Sequence, residues 1–400
     1  MYKNDVDFLR RTAISSLTKI SSPVSLYVHI PFCVRKCRYC DFLSGPVPSA
    51  LRDRYLAALN RELKETGRLI GAVRVDSIFL GGGTPSLLTP GELDTLMSTV
   101  RAEYRVLPDA EITMECNPGT ADAAKLGAYR ELGINRISIG VQSFREEELR
   151  LLGRIHSADE ARRCIEDAGR AGFSNINLDL MSALPGQSPE QWMESLREAV
   201  RLKPNHISAY SLILEEGTEF WDMSRREGEL PPFPDDETDR FMYHETKRFL
   251  AEHGYERYEI SNYARAGFES RHNNGYWTGH AYLGFGAGAA SYLGDVRWNH
   301  VRNLETYCRG VEASECSVLQ EIEHLTRKDR MAEFMFLGLR RMEGVSEEEF
   351  GERFGAELSD VYGPVVRKYL EWNLLEKCGG RVRLTDRGID ISNRIMADFL

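Results

Sequence analysis

Leu26-Tyr27-Val28-His29-Ile30-Pro31-Phe32-Cys33-Val34-Arg35-Lys36-Cys37-Arg38-Tyr39-Cys40-Asp41-Phe42 starts as a buried strand and runs straight into a cysteine loop. The cysteines are spaced C-x3-C-x2-C. Three thiolates on one short loop can wrap three corners of a cubane iron–sulfur cluster and leave the fourth iron without a protein ligand. Such an open iron can chelate the amino and carboxylate groups of a bound ligand. A structural zinc site is the alternative, but zinc takes four ligands. No Cys-x-x-Cys partner lies downstream, and His29 or Asp41 could serve only awkwardly. Buried, inert thiols fit poorly beside Arg35, Lys36, Arg38 and Asp41.

Similar apolar runs recur at residues 25–30, 76–80, 111–116, 136–141, 176–181 and 207–212, and each reads as a buried strand. Helical stretches separate them. Their starts carry capping signals at Thr89-Pro90-Gly91-Glu92, Ser157-Ala158-Asp159-Glu160 and Ser188-Pro189-Glu190-Gln191. The alternation predicts an α/β fold with a parallel sheet. Polar or Gly-rich residues close nearly every strand: the cysteine loop, Gly81-Gly82-Gly83-Thr84, Glu115 and Asn117, Gln142 and Ser143, and Asp179. Many strand ends carrying chemistry favour a (β/α) barrel, where they converge on one face, over a doubly wound sheet with one switch point.

The chain has 400 residues, 42% of them hydrophobic, and a net charge of −10, so a large core is expected and nucleic acid is not the expected partner. No apolar run approaches the ~20 residues of a membrane span. The first 20 residues carry Lys3, Asp5, Asp7, Arg10 and Arg11 and lack a secretory apolar core, which predicts a cytoplasmic protein. The five scattered cysteines, Cys116, Cys164, Cys308, Cys316 and Cys378, read as ordinary residues rather than disulfides.

Four segments are expected: an N-terminal extension over 1–24, the barrel over 25–230, a connector with a Gly- and aromatic-rich stretch over 231–318, and a C-terminal domain over 319–400. Residues 261–290, with Gly284-Phe285-Gly286-Ala287-Gly288, predict loops with closely packed backbone. Near the end, a helix, a strand, Gly379-Gly380 and a second strand look like a small α+β winged helix.

The cysteine loop resembles that of the radical-SAM superfamily. Tyr27-Val28-His29-Ile30-Pro31-Phe32-Cys33 followed by Gly81-Gly82-Gly83-Thr84-Pro85-Ser86 is similar to one branch of it. That branch contains the oxygen-independent coproporphyrinogen III dehydrogenases and their haem-chaperone (HemW-type) relatives. The resemblance runs from Tyr27 into the C-terminal domain. It implies a partial (β/α)6 TIM-like barrel, a [4Fe–4S] cluster on Cys33, Cys37 and Cys40, and one or two molecules of S-adenosylmethionine (SAM). Implied SAM contacts are Tyr27, Gly82, Gly83, Thr84, Glu115, Gln142, Arg154 and Asp179. For Tyr27 a core strand residue, and for Arg154 a surface ion pair, are the plain alternatives. An electron donor is implied as a partner, and the C-terminal domain is implied as a cover over the barrel mouth.

Two features separate members of the branch. The decarboxylating dehydrogenases carry a further cysteine two residues beyond the third ligand, where this chain has Phe42. His272-Asn273-Asn274-Gly275-Tyr276-Trp277 matches the H-N-x-x-Y-W signature of the haem chaperones. His272 is a candidate haem ligand; the alternative is that it ties down a loop while Trp277 is core. The resemblance thus implies a haem chaperone that delivers haem to apo-haemoproteins. Radical decarboxylation of coproporphyrinogen III, or radical methylation of a tetrapyrrole, are the alternatives. No catalytic residue is assigned.

Overall fold

The computed structural model describes residues 3–17, 22–71, 73–314 and 316–400. Six parallel strands form where the apolar runs lie: β1 (Val24–Ile30), β2 (Arg74–Gly82), β3 (Arg105–Cys116), β4 (Arg136–Gln142), β5 (Ile176–Ser182) and β6 (His206–Ser211). Short strands follow: β7 (Glu256–Arg257), β8 (Asn262–Ala264), β9 (Tyr282–Phe285), β10 (Ala290–Leu293), β11 (Val296–His300) and β12 (Leu319–His324). Together they make one sheet in the order β12-β11-β10-β9-β1-β2-β3-β4-β5-β6-β8-β7. The six parallel strands stand in chain order, so every helical crossover steps the same way. Right-handed crossovers then place all the helices on one face and the sheet curls. A doubly wound sheet would reverse direction at a switch point. This is the partial barrel.

Strand alternation divides the side chains. Leu26, Val28, Ile30, Ile78, Leu80, Met114, Ile137, Ile139, Leu178 and Leu180 face the helices and form the main core. The opposite face is polar. Ser25, Ser77, Glu111, Arg136, Ser138, Asn177, His206 and Ser208 are buried in the lumen, and several of them bond across strands. Ser77 Oγ donates to Ser25 Oγ at 2.8 Å, and Asn177 Nδ2 donates to Ser138 Oγ at 2.7 Å. All three capping boxes form, on the helices Pro90–Glu103, Ala158–Arg170 and Pro189–Arg201. Each contributes about 1 kcal/mol and fixes where the crossover enters.

Residues 261–290 hold more regular structure than their composition suggests: β8, the helix Arg271–Trp277 and β9, which pairs parallel with β1. Alternation in β9 is interrupted at Gly284, where a side chain would run into the Ala290 carbonyl. A side chain at Gly286, where φ is +98°, would run into the Tyr55 hydroxyl. Glu62, on the helix Ser49–Ile70, instead accepts from Gly286 N at 3.0 Å, Tyr307 Oη at 2.6 Å and His300 Nε2 at 2.5 Å.

The N-terminal helix Lys3–Leu17 is tied to the far edge of the sheet. Asp5 accepts from Val318 N at 2.9 Å, and Phe8 meets Trp298 edge-on at 5.5 Å. The C-terminal part has its own core, including Met335, Phe350, Tyr369 and Phe399, and three strands, β13 (Val345–Ser346), β14 (Leu375–Cys378) and β15 (Arg381–Leu384), in the order β13-β15-β14. Gly379 and Gly380 both have positive φ and make the tight β14–β15 turn. Following the helices Glu347–Phe354 and Leu358–Glu371, this hairpin completes a winged-helix-like arrangement. No helix of the described residues is long and apolar enough to cross a membrane.

The C-terminal part packs against the helix Asp236–Glu252, where Asp390 holds Arg240 and His244 at 2.7 Å each. It also reaches Trp277, with the Arg340 guanidinium 4.4 Å above the indole.

Candidate functional site

The cysteine loop leaves β1 at Ile30 and returns beside it, held by Cys33 N to Gly45 O at 2.9 Å and Gly45 N to Pro31 O at 3.0 Å. It thereby rims a cavity of about 350 Å³ at the C-terminal ends of the strands. Cys33, Cys37, Cys40, Gly82, Gly83, Thr84, Glu115, Gln142, Arg154 and Asp179 all line it. They come from the loop, from β2 to β5 and from the segment after β4.

Two of the cysteines are joined by a chain of hydrogen bonds. Thr84 Oγ1 lies 3.4 Å from Cys33 Sγ and accepts from Asn117 Nδ2 at 2.8 Å. Its own proton therefore remains free for the sulfur. Asn117 Oδ1 accepts from Arg154 Nη2 at 2.7 Å, and Arg154 Nη1 lies 3.5 Å from Cys37 Sγ. Arg154 also donates to Gly140 O at 2.6 Å. Gly140 makes room for this: a side chain there would meet Asn117 Oδ1 at 2.8 Å. Gln142 ends β4 with φ +64°, a left-handed backbone that costs a non-glycine residue about 1–2 kcal/mol. Arg154 is thus no surface ion pair. Donors aimed at two sulfurs stabilise thiolates, as a metal cluster requires.

Two half-buried carboxyls line the same cavity as the sulfurs. Glu115 accepts from Gly82 N at 3.0 Å. Burial, and then the nearby Asp179 carboxylate, push the Glu115 carboxyl up to about 8. Asp179 is also raised by burial, offset by donation from Asn177 Nδ2 at 2.8 Å and Ser138 Oγ at 3.0 Å. Among the described residues neither carboxyl facing the cavity forms an ion pair, and Arg136 offsets the charge of Asp179 only in part; such a pair suits a ligand that brings positive charge, and SAM carries a sulfonium and an ammonium. The residues present therefore fit both groups: three thiols for a cluster, and a carboxyl pair with a glycine-lined wall for SAM. The zinc alternative loses a donor, because His29 has Nδ1 3.0 Å from Tyr27 Oη and Nε2 2.9 Å from Leu43 O.

Two candidates are not brought to the cavity. Tyr27 lies deeper in the lumen, bonded to His29 and stacked on Phe79 at 6.3 Å. His272 lies at the opposite, N-terminal end of the barrel. There Glu111 caps the helix Arg271–Trp277, accepting from Arg271 N at 3.0 Å and His272 N at 3.1 Å. The His272 ring is 2% exposed, with Nδ1 2.9 Å from Ser77 Oγ and Nε2 3.0 Å from Tyr276 Oη. Burial holds its pKa down at about 3, so the ring is neutral and committed at both nitrogens. The rest of the signature continues the same work. Asn273 N donates to the capping Ser270, Tyr276 meets Tyr282 of β9 at 4.8 Å, and Trp277 lies under Arg340. The motif fastens barrel floor, β9 and C-terminal part together.

Residues 27–199 match the family model described as Radical SAM superfamily, and residues 325–391 match the HemN C-terminal domain. The chain is 37% identical over 377 residues to the heme chaperone HemW of Bacillus subtilis, covering 94% of this chain and 99% of that one. It is 38% identical over 384 residues to heme chaperone HemW of Escherichia coli, with 94% and 98% covered. The chain belongs to the HemW family. A zebrafish relative (Danio rerio), the mitochondrial radical S-adenosyl methionine domain-containing protein 1, is 35% identical over 395 residues, covering 96% of this chain and 87% of that one. Among solved structures, coproporphyrinogen III oxidase (HemN) from Escherichia coli, a radical SAM enzyme, superposes with a TM-score of 0.86 at 24% identity, covering 98% and 92%. That likeness establishes the shared fold.

In this HemW-family chain the cavity also has walls that the strand-end pattern did not single out: Tyr39, Phe42, Met181 and Tyr210. Asn117, which carried that strand-end signal one step beyond β3, lines the cavity too. Met181 and Tyr210 had none, since an apolar or aromatic residue closing a strand reads as core. Among the described residues none after Tyr210 lines the cavity. The C-terminal part sits against the floor helix and the helix Asp236–Glu252, so the cover over the mouth implied by the resemblance is not formed.

Proposed function

We propose that this protein is a haem chaperone: it binds haem as cargo and passes it to apo-haemoproteins, using a [4Fe–4S] cluster on Cys33, Cys37 and Cys40 with one SAM in the adjoining cavity. The near full-length similarity to HemW chaperones carries this reading. Phe42 supports it, standing where the decarboxylating dehydrogenases are expected to carry another cysteine. When bound, the cluster supplies one-electron chemistry and an open iron for the SAM amino acid group. The chain's own residues hold and orient. Thr84 and Arg154 donate toward Cys33 and Cys37. Gly82 and Gly83 let a ligand lie against backbone. Glu115 and Asp179 face the positive charge that SAM brings, and Gln142 closes the wall between them and Arg154. A cavity of about 350 Å³ supports one SAM rather than two.

The test is anaerobic. Protein reconstituted with iron, sulfide and SAM is expected to form a stable haem complex and to transfer haem to apomyoglobin without consuming SAM stoichiometrically. Conversion of coproporphyrinogen III to protoporphyrinogen IX with SAM turnover would replace this assignment with the dehydrogenase.

A further inference from the structure

Three large apolar side chains are left in water on and beside the cluster loop. Val34 is 59% exposed, Phe42 67% and Ile155 56%. Val34 follows Cys33, Phe42 stands two residues past Cys40, and Ile155 follows Arg154. Phe42 also lines the cavity. Next to them is a hollow of about 300 Å³ lined by Arg35, Lys36, Arg38, Arg150 and Arg154 with a single acid, Glu219. In a chain of net charge −10 this hollow has the opposite sign to the whole.

The acids near it answer only part of the charge. Glu219 lies 3.1 Å from Arg38, and Glu147 reaches Arg150 at 3.9 Å between two exposed side chains. Asp41 is exposed on the same loop. Arg35 donates to the carbonyls of Gly153 at 2.5 Å and Arg154 at 3.2 Å, and Lys36 donates to Phe42 O at 3.1 Å. Among the described residues neither forms an ion pair. Carbonyls orient these cations without neutralising them, so their charge remains for an anion.

An apolar shelf with cations along one edge matches a flat apolar ring carrying carboxylates along one edge. We propose that haem docks across the barrel mouth, its plate on Val34, Phe42 and Ile155 and its propionates in the hollow of Arg35, Lys36, Arg38 and Arg150. This rests on the haem-chaperone reading and gives the cargo a place that the signature histidine does not provide. His272 is committed at both nitrogens on the far side of the barrel. Haem at the mouth lies over the cluster and SAM instead, where their occupancy can bear on its capture and release. Charge-assisted bonds from arginine and lysine suit carboxylates, and exposed aromatic and aliphatic groups gain by covering a macrocycle.

The probes are ferric haem and its dimethyl ester, titrated anaerobically by Soret absorbance into cluster-reconstituted protein. Lys36 and Arg150 are exposed, so K36E/R150E leaves the core intact; K64E/R394E reverses two exposed cations on other helices. We expect haem Kd to rise about tenfold in K36E/R150E and to stay within about twofold in K64E/R394E. Esterification should weaken wild-type binding by a similar factor and leave K36E/R150E nearly indifferent. Phe42→Asp should weaken both probes. The siting is overturned if wild type binds haem and its ester alike and K36E/R150E and Phe42→Asp match wild type. Loss confined to His272→Ala, with the mouth variants unchanged, also overturns it. If wild type binds no haem at all, the chaperone reading itself fails.

Discussion

Arg154 Nη1 lies 3.5 Å from Cys37 Sγ, while Nη2 of the same fork is held by Asn117 and Gly140. One planar cation therefore ties a cysteine of the β1 loop to the ends of β3 and β4. Arg154→Lys keeps the charge but loses the fork. Iron retention on gel filtration should fall in Arg154→Lys and fall further in Arg154→Met. Loss of partners beside ligands commonly costs about 10- to 100-fold in metal affinity. Iron content and chelator resistance equal to wild type in both variants would show that Arg154 does not support the cluster.

Cys33→Ala, Cys37→Ala and Cys40→Ala should each abolish the cluster spectrum after reconstitution, while Cys378→Ala, an exposed thiol on β14, should leave it unchanged. Circular dichroism should remain native in all four, because none of these thiols belongs to either hydrophobic core. A Cys40→Ala protein with full iron content and an unaltered spectrum would remove Cys40 from the ligand set.

The Glu115 carboxyl sits at about 8 in the free protein, raised by burial and by Asp179. A cation entering the cavity pulls it down, so SAM binding releases a proton below that value. Affinity should rise with pH up to about 8 and then level off. Calorimetry in buffers of different ionisation enthalpy should detect the released proton near pH 7. Glu115→Gln should flatten the profile and weaken SAM by on the order of 10-fold. A flat profile in wild type would mean that the carboxyl pair does not face the ligand's charge.

Glu62 and His300 form a buried ion pair in the fold rather than in the site. His300 bonds Ala289 O at 3.0 Å through Nδ1 and Glu62 at 2.5 Å through Nε2, and both acceptors call for a protonated ring. Burial opposes charge on each partner. The pair still raises His300 above 6.5 and lowers Glu62 below 4.5. The histidine's contribution is complete below pH 6.5 and fades as pH climbs through its folded pKa. The glutamate's is complete above 4.5 and fades as pH falls through its own. The advantage of wild type over E62L/H300F in thermal midpoint should therefore peak between these limits. Glu62→Leu alone should cost about 3–5 kcal/mol, since it strands the imidazolium. A wild-type advantage that grew above pH 7 would contradict the pairing.

Legibility followed the physics of each region. The six strands and three capped helices were plain because burial on one side, and capping on the other, leave local patterns. Cys33, Cys37, Cys40, Gly82 and Glu115 were plain because strand ends concentrate polar groups. The additions β9 to β12 were obscure: they are four to six residues long, and Gly284, Gly286 and Gly288 interrupt the apolar pattern around them. Tyr27 and His272 carried a motif but no depth. A sequence gives the order of residues along a strand, yet only the register of β1 on β2 shows that Tyr27 lies beside Phe79, below the glycine turn. The Thr84–Asn117–Arg154 bridge joins three separate strand ends and was invisible for the same reason.

The floor helix has a consequence for how such a protein can change. Glu111, Ser77 and His272 lock it into the sheet, and Tyr276 and Trp277 bind it to everything around it. A mutation there would damage every capacity of the molecule at once, so selection sees this signature as a keystone. The rim at Val34, Phe42 and Lys36 belongs to none of the hydrophobic cores. A lineage could exchange one cargo for another by rewriting that shelf alone, and its descendants would still carry the same signature beneath.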